Sequence, residues 1–286
     1  MGDQRDTQRR RHRLGLASRV LAECSPEDTV SAAARAGWDA VGIWVDLREW
    51  TDATTRRVRA RLADCAIAPV DVEVIRLKPG PANPHHLRLL EIAAELGAPN
   101  VLVVSSDPDL GATTAKYAAL CARGTELGLR IALEFGLFTE VRTIGAALDI
   151  VRATGDPAAA LLVDPLHLAR SGGTPADVAR VPRQFLAYSQ LCDAHARGPG
   201  ADDPAGILAE ALAGRLQCGE GGLPLRELVL ALPADLPLSI EVRSQALCDT
   251  CPDPVERARV TLAATRRFLD GVASAGQQPA DQRPAR

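Results

Sequence analysis

The sequence predicts a single-domain α/β protein folded as a (β/α)8 TIM barrel, and three observations lead to that fold class. Short β-rich apolar segments alternate with amphipathic segments between about residues 12 and 272, which is typical of parallel βα units. Eight such apolar segments can be counted, the number that closes this type of barrel. No GxGxxG or Walker-type loop follows the first segment, where LASRVLAECS stands instead, so an open Rossmann-type sheet is disfavoured.

The individual elements follow from the same alternation. The predicted strands are Leu14–Ser18, Ala40–Val45, Ile67–Glu73, Asn100–Ser105, Arg130–Phe135, Ala160–Asp164, Phe185–Asp193 and Pro237–Val242. Helix starts are predicted near Ser25, Asp52 and Pro84, and helix ends at Gly37, Gly97, Gly128 and Gly155. Residues 1–11 are predicted to be a disordered leader, 12–272 the barrel and 273–286 a disordered polar tail.

Composition narrows the class of partner. The formal net charge of −3 and the 3% aromatic content do not fit a nucleic-acid-binding surface. No apolar segment is long enough for a membrane span or a signal peptide, so we expect no membrane partner. Seven cysteines without framework spacing favour a reducing cytoplasm, and the CxxC of Cys248 and Cys251 is interpreted as a loop after a strand. The expected partner is a small molecule, and a homo-oligomer is left open.

Polar residues interrupt the apolar segments where the later strands end. Strand five ends with Glu134, strand six with Asp164 followed by His167, and strand eight with Glu241, whereas strand seven carries Gln190, Asp193 and His195. Catalytic groups of such barrels come from the carboxyl ends of the strands, so we expect these side chains to converge at one barrel mouth.

Clustered carboxylates at the end of apolar strands repel one another unless a cation lies among them. We therefore predict one divalent metal ion held by Glu134, Asp164, Gln190 and Glu241. Oxygen-dominated ligation favours Mn²⁺, Mg²⁺ or Co²⁺, with Zn²⁺ open, and no organic cofactor is expected. The alternative is that each acid caps a helix or pairs with an arginine such as Arg170 or Arg243.

The motifs that contain these residues resemble those of the xylose-isomerase-like TIM-barrel superfamily, the sugar phosphate isomerase/epimerase group. The resemblance covers about residues 12–272 and is carried by LEFG, DPLH, QLCD and SIEV on strands five to eight. DVEVIRL, with Glu73, resembles the strand-three segment of the family, and GRLQCGEGGLPL, with Arg215, resembles its loop before helix seven. One position departs from the pattern, because Gln190 stands where epimerases usually have a histidine ligand; Asp193 or His195 could substitute for it.

The resemblance implies roles for these residues. Glu134 and Glu241 would bind the metal and remove and return a proton on opposite sides of a substrate carbon, while the metal polarises the neighbouring oxygens. His167 would hydrogen-bond the substrate or, alternatively, only its own backbone. Arg215 would hold an anionic substrate group or form a loop salt bridge. Glu73, Asp193 and His195 complete the predicted substrate-binding set.

These roles imply an isomerase or epimerase of a small sugar-like polyhydroxy ketone or aldehyde. The close alternative is a metal-dependent lyase or dehydratase similar to inosose or 3-dehydroshikimate dehydratase, because both reactions need the same stabilised carbanion. Endonuclease IV-like phosphodiester hydrolysis is disfavoured, since only five histidines are present. A non-catalytic binding barrel stays open because of Gln190.

Overall fold

The computed structural model describes residues 12–275, and these form a closed barrel of eight parallel strands. The strands are β1 (Leu14–Leu16), β2 (Ala40–Trp44), β3 (Ala68–Leu77), β4 (Asn100–Ser105), β5 (Arg130–Glu134), β6 (Ala159–Val163), β7 (Leu186–Leu191) and β8 (Leu238–Ile240). Each strand pairs with the next one in sequence, and β8 closes the barrel against β1 through Leu16↔Ile240. The predicted fold class and the eight predicted strands are confirmed.

Helices cover the outside of the barrel. They are α1 (Pro26–Ala36), α2 (Asp52–Asp64), α3 (His85–Leu96), α4 (Leu110–Leu127), α5 (Ile144–Thr154), α6 (Pro165–Arg170), α7 (Pro175–Ala179), α8 (Pro204–Ala213), α9 (Leu225–Ala231), α10 (Gln245–Thr250) and α11 (Pro254–Ala275). Ser25 caps α1 by accepting the Asp28 N–H at 3.1 Å. Four helices end at the predicted glycines, Gly37, Gly97, Gly128 and Gly155, each in the left-handed conformation.

The core has two layers, as expected for strands that are covered on both sides. The larger layer lies between the strands and the helices, and a smaller one fills the barrel interior. The interior side chains are mostly small or aliphatic: Ala40, Val70, Leu102, Val104, Ala132, Ala160, Leu162 and Tyr188. This filling leaves the carboxyl ends of the strands as the place where buried polar side chains accumulate.

Most strands begin or end one or two residues from the predicted bounds, and four larger differences concern β3, α8, α10 and α11. Strand β3, predicted to end at Glu73, continues to Leu77 because Ile75, Arg76 and Leu77 pair with β4. Helix α8, capped by Asp203, lies in a segment between the seventh and eighth strands where no helix was predicted. Helix α10 includes Cys248, so the CxxC begins in a helix and not in a loop. Helix α11 runs to Ala275, three residues into the predicted tail, because the small residues there are compatible with a helix.

The leader 1–11 and the remainder of the tail lie outside the described residues. Within residues 12–275, none of the helices has the length and apolar character that crossing a bilayer requires.

Candidate metal and active site

The acids predicted from strands five, six and eight lie at the carboxyl rim of the barrel, and all of them are buried. Glu134 is the last residue of β5, Asp164 directly follows β6, and Glu241 directly follows β8. One oxygen of Glu134, one of Asp164 and a ring nitrogen of His167 lie within 4.8 Å of one another. Glu241 reaches the same region through a shared partner, Arg215.

Arg215 is the centre of this arrangement. Its Nη1 donates to Asp164 Oδ2 at 2.5 Å, and its Nη2 lies 2.9 Å from Glu241 Oε2. The side chain is only 2% exposed, so both ion pairs are shielded from solvent. Burial opposes the charge of Arg215, but Asp164 and Glu241 outweigh it and raise the pKa of the guanidinium well above its usual value.

The position of Arg215 agrees with one of the two roles predicted for it. Arg215 lies in the loop after α8 and forms salt bridges with two acids of the rim, so its guanidinium is not open to an incoming anion. Arg170 and Arg243, the arginines expected as alternative partners, pair with none of these acids. Arg170 instead binds Glu210, which lies on α8.

Asp164 has both oxygens engaged. As the cap of α6, its Oδ1 accepts the N–H groups of Leu166 at 2.7 Å and His167 at 3.1 Å, and its Oδ2 accepts from Arg215. Burial acts to raise its pKa, yet Arg215 and the other contacts lower it below the ordinary value. These contacts favour the ionised form of Asp164 and leave one lone pair of Oδ2 for a further ligand.

Glu134 and Gln190 are the unsatisfied members. Glu134 Oε1 and Gln190 Oε1 are both buried and accept no hydrogen bond from any residue between 12 and 275. Burial, reinforced by the charges of Glu241 and Asp164, raises the pKa of Glu134 well above its usual range. A buried acceptor without a donor is costly, and a bound cation would satisfy both oxygens.

The donor set therefore fits a divalent ion, provided that Asp164 and Glu241 can bind the ion while they remain paired with Arg215. Glu134 and Gln190 offer free oxygens, whereas Asp164 and Glu241 share theirs with Arg215. All four ligands would be oxygen atoms, which suits the hard divalent ions. An ion at this place and the guanidinium of Arg215 would compete for the same two carboxylates, so binding of one weakens the hold of the other.

His167 stands beside this cluster as a neutral base. Its Nε2 lies 3.3 Å from Arg215 Nη2 and 4.0 Å from Glu134 Oε1, and its ring packs against Phe138 with centroids 4.5 Å apart. Burial, together with the nearby arginines, lowers the pKa of His167 to about 4. Its ring nitrogen faces the acids, unlike a histidine that binds only its own backbone.

Strand β3 contributes two acids, one of which the sequence analysis missed. Glu73 Oε2 accepts from Ser18 Oγ at 2.8 Å, while its Oε1 has no donor among the described residues. Asp71, two residues earlier, is fully buried, and both of its oxygens lack a donor in the same range. Burial, with a contribution from the charge of Glu241, raises the pKa of Asp71 to about 7. Because a strand points alternate residues to one side, the DVE spacing could have revealed Asp71.

Asp193 and His195 lie away from the cluster. Asp193 accepts the backbone N–H groups of Ala194, Gly219, Gly221 and Leu223 at 2.9 to 3.2 Å. Gly221 permits this approach, since a Cβ there would stand 2.4 Å from Asp193 Oδ1. The side chain of His195 is exposed. The structure thus gives Asp193 a role in holding the loop after β7, whereas Gln190 keeps a buried side-chain oxygen without a donor among the described residues.

A comparison with known protein families shows to which family the chain belongs. The sequence profile of the family described as xylose isomerase-like TIM barrel matches residues 30–268. The chain belongs to this family. No curated protein sequence matches it.

Solved structures share the fold. A xylose isomerase-like TIM barrel/4-hydroxyphenylpyruvate dioxygenase fusion protein is 22% identical with a TM-score of 0.76, over 94% of this chain and 46% of that one, so the chain spans about half of the fusion. The IolI protein with a bound zinc atom is 16% identical (TM-score 0.72, 92% and 98% covered). D-allulose 3-epimerase from Methylomonas sp., in complex with D-allulose, is also 16% identical (TM-score 0.69, 91% and 98% covered).

Proposed function

We propose that this protein is a divalent-metal-dependent isomerase or epimerase that moves a proton next to the carbonyl of a small polyhydroxy ketone or aldehyde. The observation that carries the proposal is the placement of Glu134 and Glu241, two buried carboxyl groups on strand ends that two other strands separate. They approach a molecule in the barrel mouth from different sides, and a reaction that removes a proton on one side and returns it on the other needs such a pair.

Glu134, Asp164, Gln190 and Glu241 would hold the ion. When bound, a divalent ion supplies the Lewis acid that stabilises negative charge on the substrate oxygens. Mn²⁺, Mg²⁺ and Co²⁺ suit the oxygen ligands, and Zn²⁺ stays open because the similar IolI protein contains zinc. The free oxygens of Glu134 and Gln190 support this ligand set more directly than the engaged oxygens of Asp164 do.

The chain's own groups then handle the proton. Glu134 has an oxygen free of hydrogen bonds and lies beside His167, so it is assigned to proton removal or return at the substrate carbon. Glu241 is assigned to the opposite transfer and is kept in position by Arg215 at 2.9 Å. His167 donates or accepts a hydrogen bond at the substrate carbonyl or hydroxyl, and Glu73 binds a substrate hydroxyl through its free oxygen.

A second candidate is a metal-dependent lyase that removes water from a related cyclic hydroxy-ketone. Elimination needs an acid for the departing hydroxyl, and Glu241, whose pKa burial raises, is the group assigned to give that proton. The neutral ring of His167, 3.3 Å from Arg215 and 4.0 Å from Glu134, would hydrogen-bond the departing oxygen. Loss of a β-hydroxyl and isomerisation begin with the same proton removal, so both candidates use Glu134 and Glu241.

Two further features complete the proposal. All seven cysteines are free thiols, which supports a reducing compartment such as the cytoplasm. The partner is a small molecule, as in the epimerase that was solved with D-allulose.

The test is isotope exchange into candidate substrates in deuterated water with added Mn²⁺. We expect one solvent deuteron in an isomeric product, or water loss with a new conjugated absorbance if the lyase is correct. Glu134→Gln and Glu241→Gln should each lower kcat by about 10²-fold or more, because each removes a proton-transferring group. The control Glu220→Gln, on an exposed side chain, should retain the activity. A protein that binds ligands but exchanges no deuteron, with or without these substitutions, would instead be a binding barrel.

A further inference from the structure

Three arginines surround the barrel mouth without an anionic partner. Arg19 follows β1, Arg76 lies near the end of β3, and Arg243 follows β8. All three are half-buried, and within residues 12–275 none has a carboxylate oxygen within the 4.0 Å that defines an ion pair. Arg76 donates only to Ser106 Oγ at 3.0 Å, and the Arg19 guanidinium lies over the Trp44 ring at 4.8 Å.

Continued three residues past the last paired positions, the strand register puts two of these arginines at the same height of the rim. Leu16 of β1 is aligned with Ile240 of β8 and with Val41 of β2. Arg19, Arg243 and Trp44 each lie three residues beyond that aligned set, so they belong to the same level of the carboxyl rim. The contact between Arg19 and Trp44 agrees with this placement.

The acids of the mouth have different partners. Arg215 pairs with Asp164 and Glu241, and Ser18 donates to Glu73 of β3. Arg19, Arg76 and Arg243, near the ends of β1, β3 and β8, form no ion pair with any of these acids. An anion between Arg19 and Arg243 would pair with two guanidinium groups that have no carboxylate oxygen of residues 12–275 within 4.0 Å.

Half-buried arginines that pair with no carboxylate of the described residues indicate that an anionic ligand binds to them from solution. Arginine binds carboxylate and phosphate groups in a bidentate manner, and its stacking on Trp44 fixes the plane of the guanidinium before the anion binds. A neutral sugar would leave these charges uncompensated at the moment when it displaces the surrounding water.

We propose that the substrate carries an anionic group, a carboxylate or a phosphate, which binds between Arg19 and Arg243 while its carbonyl carbon faces Glu134 and Glu241. This inference rests on the proposed function for the reacting end of the substrate. The remainder of the molecule has room on the β2–β3 side, where Trp44 and Arg76 line a cavity of about 650 Å³.

The experiment compares matched neutral and anionic probes. D-fructose, D-fructose 6-phosphate and 3-dehydroshikimate are titrated calorimetrically into Glu241→Gln protein, which cannot complete proton transfer, and kcat/KM is measured for the wild type. We expect at least tenfold tighter binding of one anionic probe than of D-fructose. The phosphate and carboxylate arms identify which anion the site takes.

Substitution of Arg19 and Arg243 tests whether the anion binds between these two side chains. Arg19→Gln and Arg243→Gln should each weaken binding of the preferred anion about tenfold or more and leave D-fructose binding unchanged, while Arg243→Lys recovers part of the loss. Arg57→Gln, an exposed arginine paired with Glu27 on the helical surface, is the control and should change neither. Thermal unfolding of every variant shows whether it is folded.

The two proposals fail in different ways. If anionic and neutral probes bind alike, or if both arginine variants weaken them equally, the anion site is wrong even where deuterium exchange is observed. If the anionic probe binds and the arginine substitutions abolish its binding, but the wild type exchanges no deuteron, the anion site is confirmed and the proposed reaction is wrong.

Discussion

At the scale of single residues, Arg215 shows how the site stays folded around three acids. Removing one partner of a buried ion pair leaves an uncompensated charge, and such losses are among the largest that single substitutions produce. Arg215 therefore acts as an internal counter-ion for Asp164 and Glu241. A divalent ion can take over part of that role.

Arg215→Met is expected to lower the free energy of unfolding by about 3–5 kcal/mol when metal is removed with a chelator. In excess Mn²⁺ the loss should be smaller, because the ion neutralises the same carboxylates. Denaturant unfolding with and without Mn²⁺ measures both values. Arg170→Met, which breaks the pair with Glu210, should show no dependence on metal. An equal loss in both conditions for Arg215→Met would contradict a shared set of acids.

Gly42 provides a second residue-scale test. A Cβ at Gly42 would stand 2.6 Å from Asp71 Oδ1 and 2.8 Å from the Ser18 backbone nitrogen, so the interior acid Asp71 depends on this glycine. Gly42→Ala should destabilise the protein by about 1–3 kcal/mol through overpacking. Gly271→Ala, on an exposed helical position with no heavy atom within 4 Å, should instead stabilise it by up to about 1 kcal/mol. Urea unfolding of the two variants gives the comparison, and a neutral Gly42→Ala would show that Asp71 can move away.

At the scale of elements, the alternation of apolar and amphipathic segments was sufficient to predict all eight strands and the four glycine helix ends. It was insufficient where local preference and tertiary pairing disagree. Arg76 interrupts the apolar pattern of β3, yet pairing with β4 extends that strand to Leu77. Helix α8 was not predicted, although Asp203 and Pro204 form an ordinary helix start.

The loop after β7 depends on one side chain. Asp193→Ala removes the acceptor of four backbone N–H groups, so the segment from Gly219 to Leu223 should loosen and the free energy of unfolding should fall by about 2–4 kcal/mol. Hydrogen exchange at Gly219, Gly221 and Leu223 is expected to rise in parallel. Glu220→Ala, an exposed side chain in the same loop, is the control. Unchanged exchange in Asp193→Ala would mean that other contacts hold the loop.

At the scale of the whole molecule, closure of the barrel brings distant segments of the chain to one mouth. The sequence could place Glu134, Asp164 and Glu241 at strand ends, because strand position follows from the apolar pattern. It could not reveal that Arg215 reaches back between two of them, since that depends on the path of the loop after α8. The sequence could not reveal that Arg19 and Arg243 form no ion pair either, because ion pairing depends on how the strand ends are arranged in the folded barrel.

The most direct test of the account is the metal content of the purified protein, measured by inductively coupled plasma mass spectrometry after incubation with Mn²⁺ and desalting. We expect about one divalent ion per chain in the wild type and in the control Glu220→Gln, on an exposed side chain, and a large loss in Glu134→Gln and Gln190→Leu, whose free oxygens would bind the ion. A wild-type protein that retains no ion, or variants that retain as much as the wild type, would contradict the metal site.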